Sequence, residues 1–305
     1  MATITLAESA KLCQDQLVAG VIETIVTVNP LFELLPFNSI QGNALSYNRE
    51  LAMGDAQFLG VGGTITAKNA ATFTQVSSGL TTLIGDAEVN GLIQATRSSI
   101  NDQTAVQVAS KAKSVARKYM DAMINGDGTG DSFQGLLALT PAGQKVSSGA
   151  NGSLLTFELL DELLDMVKDK DGNADYILMP RRTIRSYKAL LRALGGATID
   201  EVHTLPSGSR IMTYNGVPIL PNDFIPVNQT AGTSTGTTTI FAGTFDDGSE
   251  KIGISGLTAQ NNAGINIKRI GEKENADEVI TRVKFYCGMA NFSQLGVAAL
   301  PGIRN

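Results

Sequence analysis

Residues that carry chemistry are scarce in this 305-residue chain, which has one histidine, two cysteines and no tryptophan. A single histidine excludes a multi-histidine metal site, and it leaves any catalytic triad dependent on His203, which lies in a predicted loop. Cys13 and Cys287 stand far apart in the sequence. We therefore interpret both as small buried apolar side chains in a reducing compartment, and not as part of a metal-binding cluster.

The signatures of common enzymes are also missing. The chain has no GxSxG nucleophile elbow, no Walker A loop and no HExxH motif. The stretch Asp169–Asn173 is similar to the start of a calcium loop, but Ala174 and Pro180 occupy the positions where that loop needs Gly and Glu. The stretch Gly126–Asp131 follows a predicted helix, so no helix N-terminus faces a phosphate there. We interpret both stretches as turns, and we predict no catalytic, cofactor or metal site and no enzymatic activity.

Charged residues make up only 17% of the chain, which is below average, and the formal net charge is -5. A dedicated nucleic-acid binder is normally basic, because neutralised phosphates supply its affinity. This balance excludes a simple DNA-binding protein, although it is compatible with a protein that encloses DNA without gripping it. The first residues lack the basic and apolar regions of a signal peptide, and no stretch reaches the ~20 apolar residues of a membrane span. The sequence therefore predicts folding in the cytoplasm and no membrane partner.

The first ninety residues are predicted to form segments that have little apolar core of their own. An apolar stripe predicts a helix over 6–28. The apolar stretch 31–37 predicts an extended arm, which docks either on its own core or on a neighbouring subunit. Alternation over 45–51, a glycine-rich middle and a returning strand over 72–84 predict a long, flexible hairpin. A lone hairpin is only marginally stable in water, so we expect this one to lie across a partner.

The remaining residues predict a mixed fold. An apolar stripe over 99–124 predicts a long helix that Asn125-Gly126 ends. The last fifty residues predict a long antiparallel pair of strands around a turn at 272–277. Between these parts, helices and strands alternate. The predicted features there are an N-cap at Thr156, a buried strand over 174–179, a helix from Pro180 that Gly195-Gly196 ends, a hairpin turn at Asn215-Gly216, an exposed loop over Thr230–Thr239 and a strand over 239–245.

Two of the predicted helices carry basic faces. The long helix has a polar flank that we interpret as solvated, with packaged nucleic acid as the alternative neighbour; it contains Lys111, Lys113, Arg117 and Lys118. The later helix has four cations at helical spacing, namely Arg181, Arg185, Lys188 and Arg192. We favour an inter-subunit or solvent-facing role for this second face. A DNA-recognition helix would have a short partner helix before it, and the chain is not basic overall.

The order of these elements, with a set of short motifs, resembles the major capsid protein family of tailed bacteriophages. The fold of that family is shared with encapsulins and with the herpesvirus capsid floor. No single motif is specific, but their ordered set spans essentially the whole chain. The motifs are Asn29-Pro30-Leu31, Leu35-Pro36-Phe37, 42–50, Gly126-Asp127-Gly128, Phe133-Gln134-Gly135-Leu136, Met179-Pro180-Arg181, Gly216-Val217-Pro218-Ile219, Asn222-Asp223 and 241–245.

The resemblance implies an α+β phage capsid fold with four parts. These are an N-terminal arm (1–41), an extended hairpin loop (42–90), a peripheral domain with the long spine helix and long antiparallel strands (91–135 and 256–290), and an α/β axial domain (136–255 and 291–305). It also implies self-assembly through pentamers and hexamers into an icosahedral shell, in a virion assembled in the host cytoplasm. The alternative is an encapsulin-type compartment around a cargo enzyme. A tail-tube protein would be dominated by strands and would lack the long helix.

The resemblance further implies partners and contact residues. The partners are other copies of the chain, a portal, and double-stranded DNA enclosed without sequence-specific binding, with a decoration protein as a further candidate. The arm begins near Met1, whereas some relatives start with a long scaffolding segment, so a separate scaffolding protein is expected. The candidate inter-subunit residues are Leu31, Phe32, Tyr47, Arg49, Lys68 and Phe73. Some relatives link a loop lysine to an asparagine of a neighbour, and Lys68 with Asn291 is the conceivable pair here. We do not expect that link, because no carboxylate base can be placed beside it.

Overall fold

The computed structural model describes residues 30–97, 102–193, 202–205, 208, 210–261 and 263–304. The helix predicted over 6–28 and the helix end predicted at Gly195-Gly196 lie outside these residues. The chain divides into two compact units. The smaller unit contains the described parts of Gly85–Lys113 and Ile267–Val283, and the larger contains the described parts of Thr27–Ile84, Ser114–Asn266 and Lys284–Asn305.

Helices and strands alternate along the described chain, which confirms the predicted α+β class. The helices are α1 (Leu31–Leu34), α2 (Gly91–Arg97), α3 (Gln103–Asn125), α4 (Leu136–Leu139), α5 (Phe157–Asp165) and α6 (Arg181–Ala193), with 3-10 turns at Ala142–Gln144 and Asp169–Gly172. The strands are β1 (Phe37–Ile40), β2 (Ala44–Ala52), β3 (Thr72–Gly79), β4 (Thr81–Asn90), β5 (Ser153–Leu154), β6 (Tyr176–Met179), β7 (Val202–Thr204), β8 (Arg210–Tyr214), β9 (Val217–Pro221), β10 (Gln229–Ala231), β11 (Ser234–Gly243), β12 (Ile254–Ala259), β13 (Ile265–Lys273), β14 (Ala276–Asn291) and β15 (Val297–Arg304).

A five-stranded sheet is built around β14, the longest strand. Its order is β1-β12-β14-β13, and β4 also pairs with β14. The turn between β13 and β14 lies within the predicted 272–277. Along β14, Thr281, Val283, Phe285 and Cys287 are buried in alternation, as the period of two in the sequence predicts. The prediction for β4 was wrong in one respect. Leu80 separates it from the hairpin, so it does not simply continue the returning strand.

An eight-stranded mixed sheet carries the main apolar core. Its order is β5-β15-β11-β6-β9-β8-β7, with β10 paired to β11. The central strand β6 is buried along its whole length, as a strand covered on both faces must be. Helix α5 begins where predicted, because the Thr156 side chain accepts a hydrogen bond from the Leu159 N–H at 3.3 Å. Asn215 and Gly216 both have positive φ, which confirms the predicted hairpin turn between β8 and β9.

The stretch Thr230–Thr239 was predicted as an exposed loop, and that prediction was wrong. It forms most of the β10–β11 hairpin, and Thr237, Thr238 and Thr239 are buried. Threonine is β-branched and favours strands, and its hydroxyl can be buried when it finds an acceptor. Here the Thr237 hydroxyl donates to the Gln229 carbonyl at 3.0 Å. His203 was also misplaced, because it lies in β7 and not in a loop.

The long helix α3 ends at Asn125, as predicted, but begins at Gln103 and not near Ser99. Asp102 determines that start, since its Oδ1 accepts hydrogen bonds from the Thr104 and Ala105 N–H groups at 2.9 and 3.3 Å. A hydrogen bond from the Gln94 side chain, and then these two backbone hydrogen bonds, lower the pKa of Asp102. In the described residues, no helix has both the length and the hydropathy needed to cross a membrane.

The smaller unit is held in part by ion pairs between its strands. The guanidinium of Arg282 on β14 donates two hydrogen bonds of 2.8 Å to the carboxylate of Asp86 on β4. This bidentate contact lowers the pKa of Asp86 below its usual value. Lys273 lies 3.2 Å from both Glu88 and Glu278. Because each of these side chains is partly exposed, each pair contributes little by itself.

Cys287 is fully buried on β14, as expected for a small apolar side chain, while Cys13 lies outside the described residues. Burial raises the pKa of the Cys287 thiol to about 12. In a Cys13→Ser variant at about pH 8, we expect Ellman's reagent to label Cys287 on the order of a thousandfold more slowly in the native protein than in the guanidinium-unfolded protein. Equal rates in the two states would contradict this burial.

Candidate assembly surface

Strands β2 and β3 form an antiparallel hairpin that makes a sheet of its own. Leu45 lies opposite Ser78 at its base, and Glu50 lies opposite Phe73 near its far end. The alternation that predicted β2 appears as alternating half-buried and exposed side chains up to residue 50. Beyond Glu50 the register shifts and both strands end. The predicted hairpin is therefore confirmed, with its strands ending before the glycine-rich middle.

The residues between the two strands, 53–71, form what we call the tip. One side chain, Gln57, organises it. The Gln57 side-chain carbonyl accepts hydrogen bonds from the Thr66 and Ala67 N–H groups at 2.9 and 2.8 Å, and its amide donates to the Thr64 carbonyl at 3.0 Å. These bonds replace a strand ladder, because they satisfy backbone groups that would otherwise pair across the hairpin. The tip consequently has a defined conformation with almost no apolar core.

Large apolar side chains of the tip and of the adjoining strand ends face solvent. Phe58 and Val61 are fully exposed, at 107% and 112% of their reference areas. Five others are more than half exposed, namely Leu51, Met53, Leu59, Ile65 and Phe73. Exposing apolar surface costs about 25 cal/mol per Å², and large exposed apolar patches mark interaction sites. This hairpin is therefore the strongest candidate for burial against another molecule.

The base of the hairpin is fixed to its own subunit by what we call the root, Tyr47 and Arg49. The Tyr47 hydroxyl donates to the Asn291 carbonyl at 2.8 Å, and its ring packs on Phe292 with centroids 5.1 Å apart. The Arg49 guanidinium donates to the same Asn291 carbonyl and, at 2.9 Å, to the Phe292 carbonyl. Its Cζ lies 5.4 Å from the centroid of the Tyr47 ring. The root therefore fixes the base of the hairpin within the larger unit.

Replacing Arg49 with alanine should loosen the base of the hairpin. Two backbone carbonyls lose a charged donor, which corresponds to about 2 kcal/mol. We expect hydrogen exchange of the amides in β2 and β3 to accelerate about thirtyfold, as measured by mass spectrometry on peptides from this region. An Arg49→Lys variant keeps the charge but cannot donate in the same fork, so its acceleration should be intermediate.

The control for the root is Lys68→Ala, which removes an exposed cation of the tip instead. That variant should exchange like the unmodified protein at the base of the hairpin. If Arg49→Ala also exchanges like the unmodified protein there, the guanidinium contacts do not hold the root.

The arm docks on its own core over the residues that the structure describes. Residues 31–34 form the short helix α1, not the predicted extended chain, and Leu31 is completely buried. The rings of Phe32 and Phe37 lie 5.7 and 6.0 Å from Tyr119 on α3. Strand β1 then pairs in parallel with β12, with the Gly256 N–H donating to the Pro36 carbonyl at 2.8 Å. Of the two docking sites that the sequence left open, this segment takes the internal one.

The six residues predicted at subunit contacts divide into two groups. Leu31, Phe32, Tyr47 and Arg49 pack or bond within their own subunit, where they set the positions of the arm and the hairpin. Lys68 and Phe73 are exposed. Sequence reasoning missed Phe58 and Val61, the two most exposed large apolar side chains among the described residues. Their signal was available, because they are large apolar residues in a glycine-rich stretch without strand alternation.

Asn291, the conceivable partner for a cross-link to Lys68, is only 1% exposed. Its backbone carbonyl accepts hydrogen bonds from the root, and its side chain is enclosed with it. A lysine from a neighbouring subunit cannot reach this amide while the root stays in place. The burial of Asn291 thus argues against this residue as the partner of Lys68.

The polar loops that the sequence singled out make structural contacts. The Asp169 carboxylate accepts hydrogen bonds from the Ser293 hydroxyl at 2.8 Å and from the Gly253 N–H at 3.1 Å. The Asp127 carboxylate accepts from the N–H and the hydroxyl of Thr129 at 3.0 and 2.7 Å, which closes a local turn and lowers the pKa of Asp127. Both stretches are turns, as predicted. In the described residues, no group of three or more His, Cys, Asp or Glu side chains is arranged to hold a metal.

A family model described as the phage capsid family matches residues 10–254 of the chain. That match spans the arm, the hairpin, α3 and most of the eight-stranded sheet. No curated protein sequence matches the chain significantly.

Solved structures with the same fold include shells of two kinds. The SrpI encapsulin of Synechococcus elongatus PCC 7942 is 20% identical, with a TM-score of 0.75 over 99% of this chain and 96% of that one. The capsid of cyanophage A-1(L) is 13% identical, with a TM-score of 0.74 over 99% and 100% of the two chains. The capsid of Myoviridae phage XM1 is 15% identical, with a TM-score of 0.66 over 99% and 100%. At these identities the likeness concerns the fold.

Proposed function

The chain belongs to the phage capsid family, and from this membership we propose that it is the major capsid protein of a tailed bacteriophage. In the proposal, copies of the chain assemble through pentamers and hexamers into an icosahedral shell around double-stranded DNA. A portal and a scaffolding protein take part in assembly, and a decoration protein is a further candidate partner. Assembly takes place in the host cytoplasm. The role is structural and requires no catalytic residue, cofactor or metal.

The exposed apolar hairpin carries this proposal. A free subunit would leave Phe58, Val61 and Phe73 in water, although its root holds the hairpin in a fixed direction. Interfaces of permanent assemblies are large and apolar, and a preformed apolar element lowers the entropy cost of association. We therefore assign 53–71 and the adjoining strand ends to a contact with a neighbouring copy.

The negative net charge is consistent with a container for DNA. A shell that bound DNA tightly along its inner face would do so through contacts with phosphates, and its affinity for DNA would fall as the salt concentration rises. With 24 basic and 29 acidic residues, the chain lacks the excess of cations that such gripping requires. The basic flank of α3 remains a candidate inner face, with a solvated face as the alternative; Lys111, Lys113 and Lys118 are exposed there.

An encapsulin-type compartment is the second candidate, and the fold shared with the SrpI encapsulin is the observation that favours it. The two candidates differ in what the shell encloses. Particles from the natural source should contain nuclease-protected double-stranded DNA under the first proposal and a co-purifying enzyme under the second.

Negative-stain electron microscopy of the purified protein tests the shell itself. We expect closed particles with five- and six-fold clusters of subunits, once scaffolding protein or crowding conditions are supplied. A protein that remains a soluble monomer under every assembly condition would overturn the proposal.

A further inference from the structure

A cavity of about 440 Å³ lies between α6 and strands β8 and β9 in the larger unit. We call it the basic groove, because five cationic side chains line it. These are Arg181, Arg185, Lys188 and Arg192 from α6, and Arg210 from β8. The four cations of α6 are spaced at i, i+4, i+7 and i+11, which places them along one face of the helix. The groove thus gathers the basic face that the sequence predicted.

One of the five groove cations has an ion-pair partner among the residues that the structure describes. Arg181 lies 3.3 Å from Asp223, measured from Nε to Oδ1. Within the part of the chain that the structure describes, Arg185, Lys188 and Arg210 form no ion pair, and neither does Arg192. Like charges that line one groove repel one another, so an anionic occupant would stabilise the groove.

The same unit carries the complementary charge on α5. This nine-residue helix has four carboxylates and no basic residue. Asp161 already accepts a hydrogen bond from the Tyr214 hydroxyl at 2.6 Å. The other three carboxylates, Glu158, Glu162 and Asp165, are exposed and recur at i, i+4 and i+7 on one helix face, which we call the acidic ridge.

The groove cations lie on the side of α6 away from its aromatic contact with α5. Helix α6 turns Tyr187 inward, where its ring lies 6.1 Å from Phe157 of α5. The groove cations occupy the opposite side of α6 from Tyr187, according to their helical spacing. A subunit with complementary surfaces on two sides can join its neighbours head to tail, and such a contact closes into a ring when the rotation permits.

We propose that the basic groove of one subunit receives the acidic ridge of the next copy, in a contact that repeats around each ring of subunits. This inference rests on the proposed shell function, and it identifies which surfaces meet. The apolar part of the groove, which includes Ile184 and Ile211, favours a protein helix over a DNA backbone. Phosphate oxygens would leave those side chains without apolar contacts, whereas a helix can cover them.

Charge reversal on each side tests the contact. The groove variant is Arg185→Glu with Lys188→Glu, and the ridge variant is Glu158→Lys with Glu162→Lys. Each variant alone places like charges across the contact, so its critical concentration for assembly should rise at least about tenfold at about 0.15 M salt. A combined variant with all four changes restores opposite charges in reversed order, and it should assemble at close to the original concentration.

The matched control is Lys145→Glu with Lys168→Glu, which makes the same charge change at exposed positions outside the groove. It should assemble normally. Circular dichroism melts of every variant establish that the subunit still folds. If the groove variant does not fold, the milder Arg185→Gln with Lys188→Gln should show a smaller rise in the same direction.

The outcomes separate this inference from the proposed function. Normal assembly by the groove and ridge variants would overturn the contact while the shell function stands. Loss of assembly in both, without recovery in the combined variant, would also overturn it. Loss of binding to double-stranded DNA in the groove variant would then identify DNA as the occupant. Failure of the unmodified protein to assemble at all would overturn both proposals.

Discussion

Replacing Phe58 and Val61 with serine will raise the critical concentration for shell assembly at least about a hundredfold and leave the folded subunit intact. Both side chains are fully exposed in the subunit, so neither contributes to its core. Burying a large apolar side chain at an interface is worth about 2 kcal/mol or more, and the most important interface residues contribute still more. The loss of two such residues at each hairpin contact corresponds to at least about a hundredfold increase in the critical concentration for assembly.

Size-exclusion chromatography and electron microscopy measure assembly, and a thermal melt measures the subunit. We expect a melting temperature within about 2 °C of the unmodified protein, because exposed substitutions rarely change stability by more than about 0.5 kcal/mol. The control is Phe58→Leu with Val61→Ile, which keeps both positions apolar and should assemble. Shells from the serine variant at normal yield would remove the tip from the proposed interface.

Local signals account for the parts of the fold that were predictable. The Thr156 side chain caps α5, and the Asn215-Gly216 turn joins β8 to β9, because each depends on a few neighbouring residues. The alternation along β14 is a local pattern as well. One kind of failure involves pairing between distant residues. Strand β1 pairs with β12, which lies more than 200 residues away, and the sequence of the arm does not indicate which strand it pairs with.

The threonine-rich hairpin shows a second limit. Its residues resemble a loop in composition, but their hydroxyls are buried against specific acceptors, such as the Pro226 carbonyl for Thr238 at 2.9 Å. Composition alone classes threonine as polar, and it does not show whether the fold places a hydrogen-bond acceptor beside the hydroxyl. The fold decides whether such a stretch is a loop or a strand.

The candidate site was predictable as a region but not residue by residue. A sequence indicates that an arm or a hairpin lacks its own core, yet it cannot tell an apolar residue that packs inward from one that packs on a neighbour. Leu31 and Phe58 have similar chemistry, but the first is completely buried and the second fully exposed. The division of the chain into arm, hairpin, peripheral and axial parts stays a prediction.

Tyr119→Ala will strongly lower the free energy of unfolding of the larger unit. This residue of α3 is completely buried, and its ring lies within 6.0 Å of four others. Phe32 and Phe37 belong to the arm, Phe133 follows the helix and Phe285 belongs to β14. Removing the central ring leaves a cavity among them, which costs about 3–5 kcal/mol in similar cores. Urea denaturation followed by circular dichroism measures this loss.

The matched variant Tyr119→Phe keeps the ring and removes only the hydroxyl, which donates to the Gly288 carbonyl at 3.3 Å. It should cost about 1 kcal/mol at neutral pH. The variant and the unmodified protein should also differ in how their stability changes at high pH. Burial raises the pKa of Tyr119, so the unfolded chain ionises this phenol near pH 10 while the folded chain keeps it neutral. The neutral phenol therefore favours folding below pH 10, and this contribution is lost as the pH rises above it.

Between about pH 10 and 11.5, the unmodified protein should lose stability faster than Tyr119→Phe does, because the variant lacks this ionisation. The arm provides a second readout. Without the Tyr119 ring, Phe32 and Phe37 lose a shared contact, so amides over 31–40 should exchange faster in Tyr119→Ala and not in Tyr119→Phe. Equal stability of the alanine variant and the unmodified protein would show that the aromatic cluster does not hold the arm on the long helix. In that case, the parallel pairing of β1 with β12 would have to position the arm by itself.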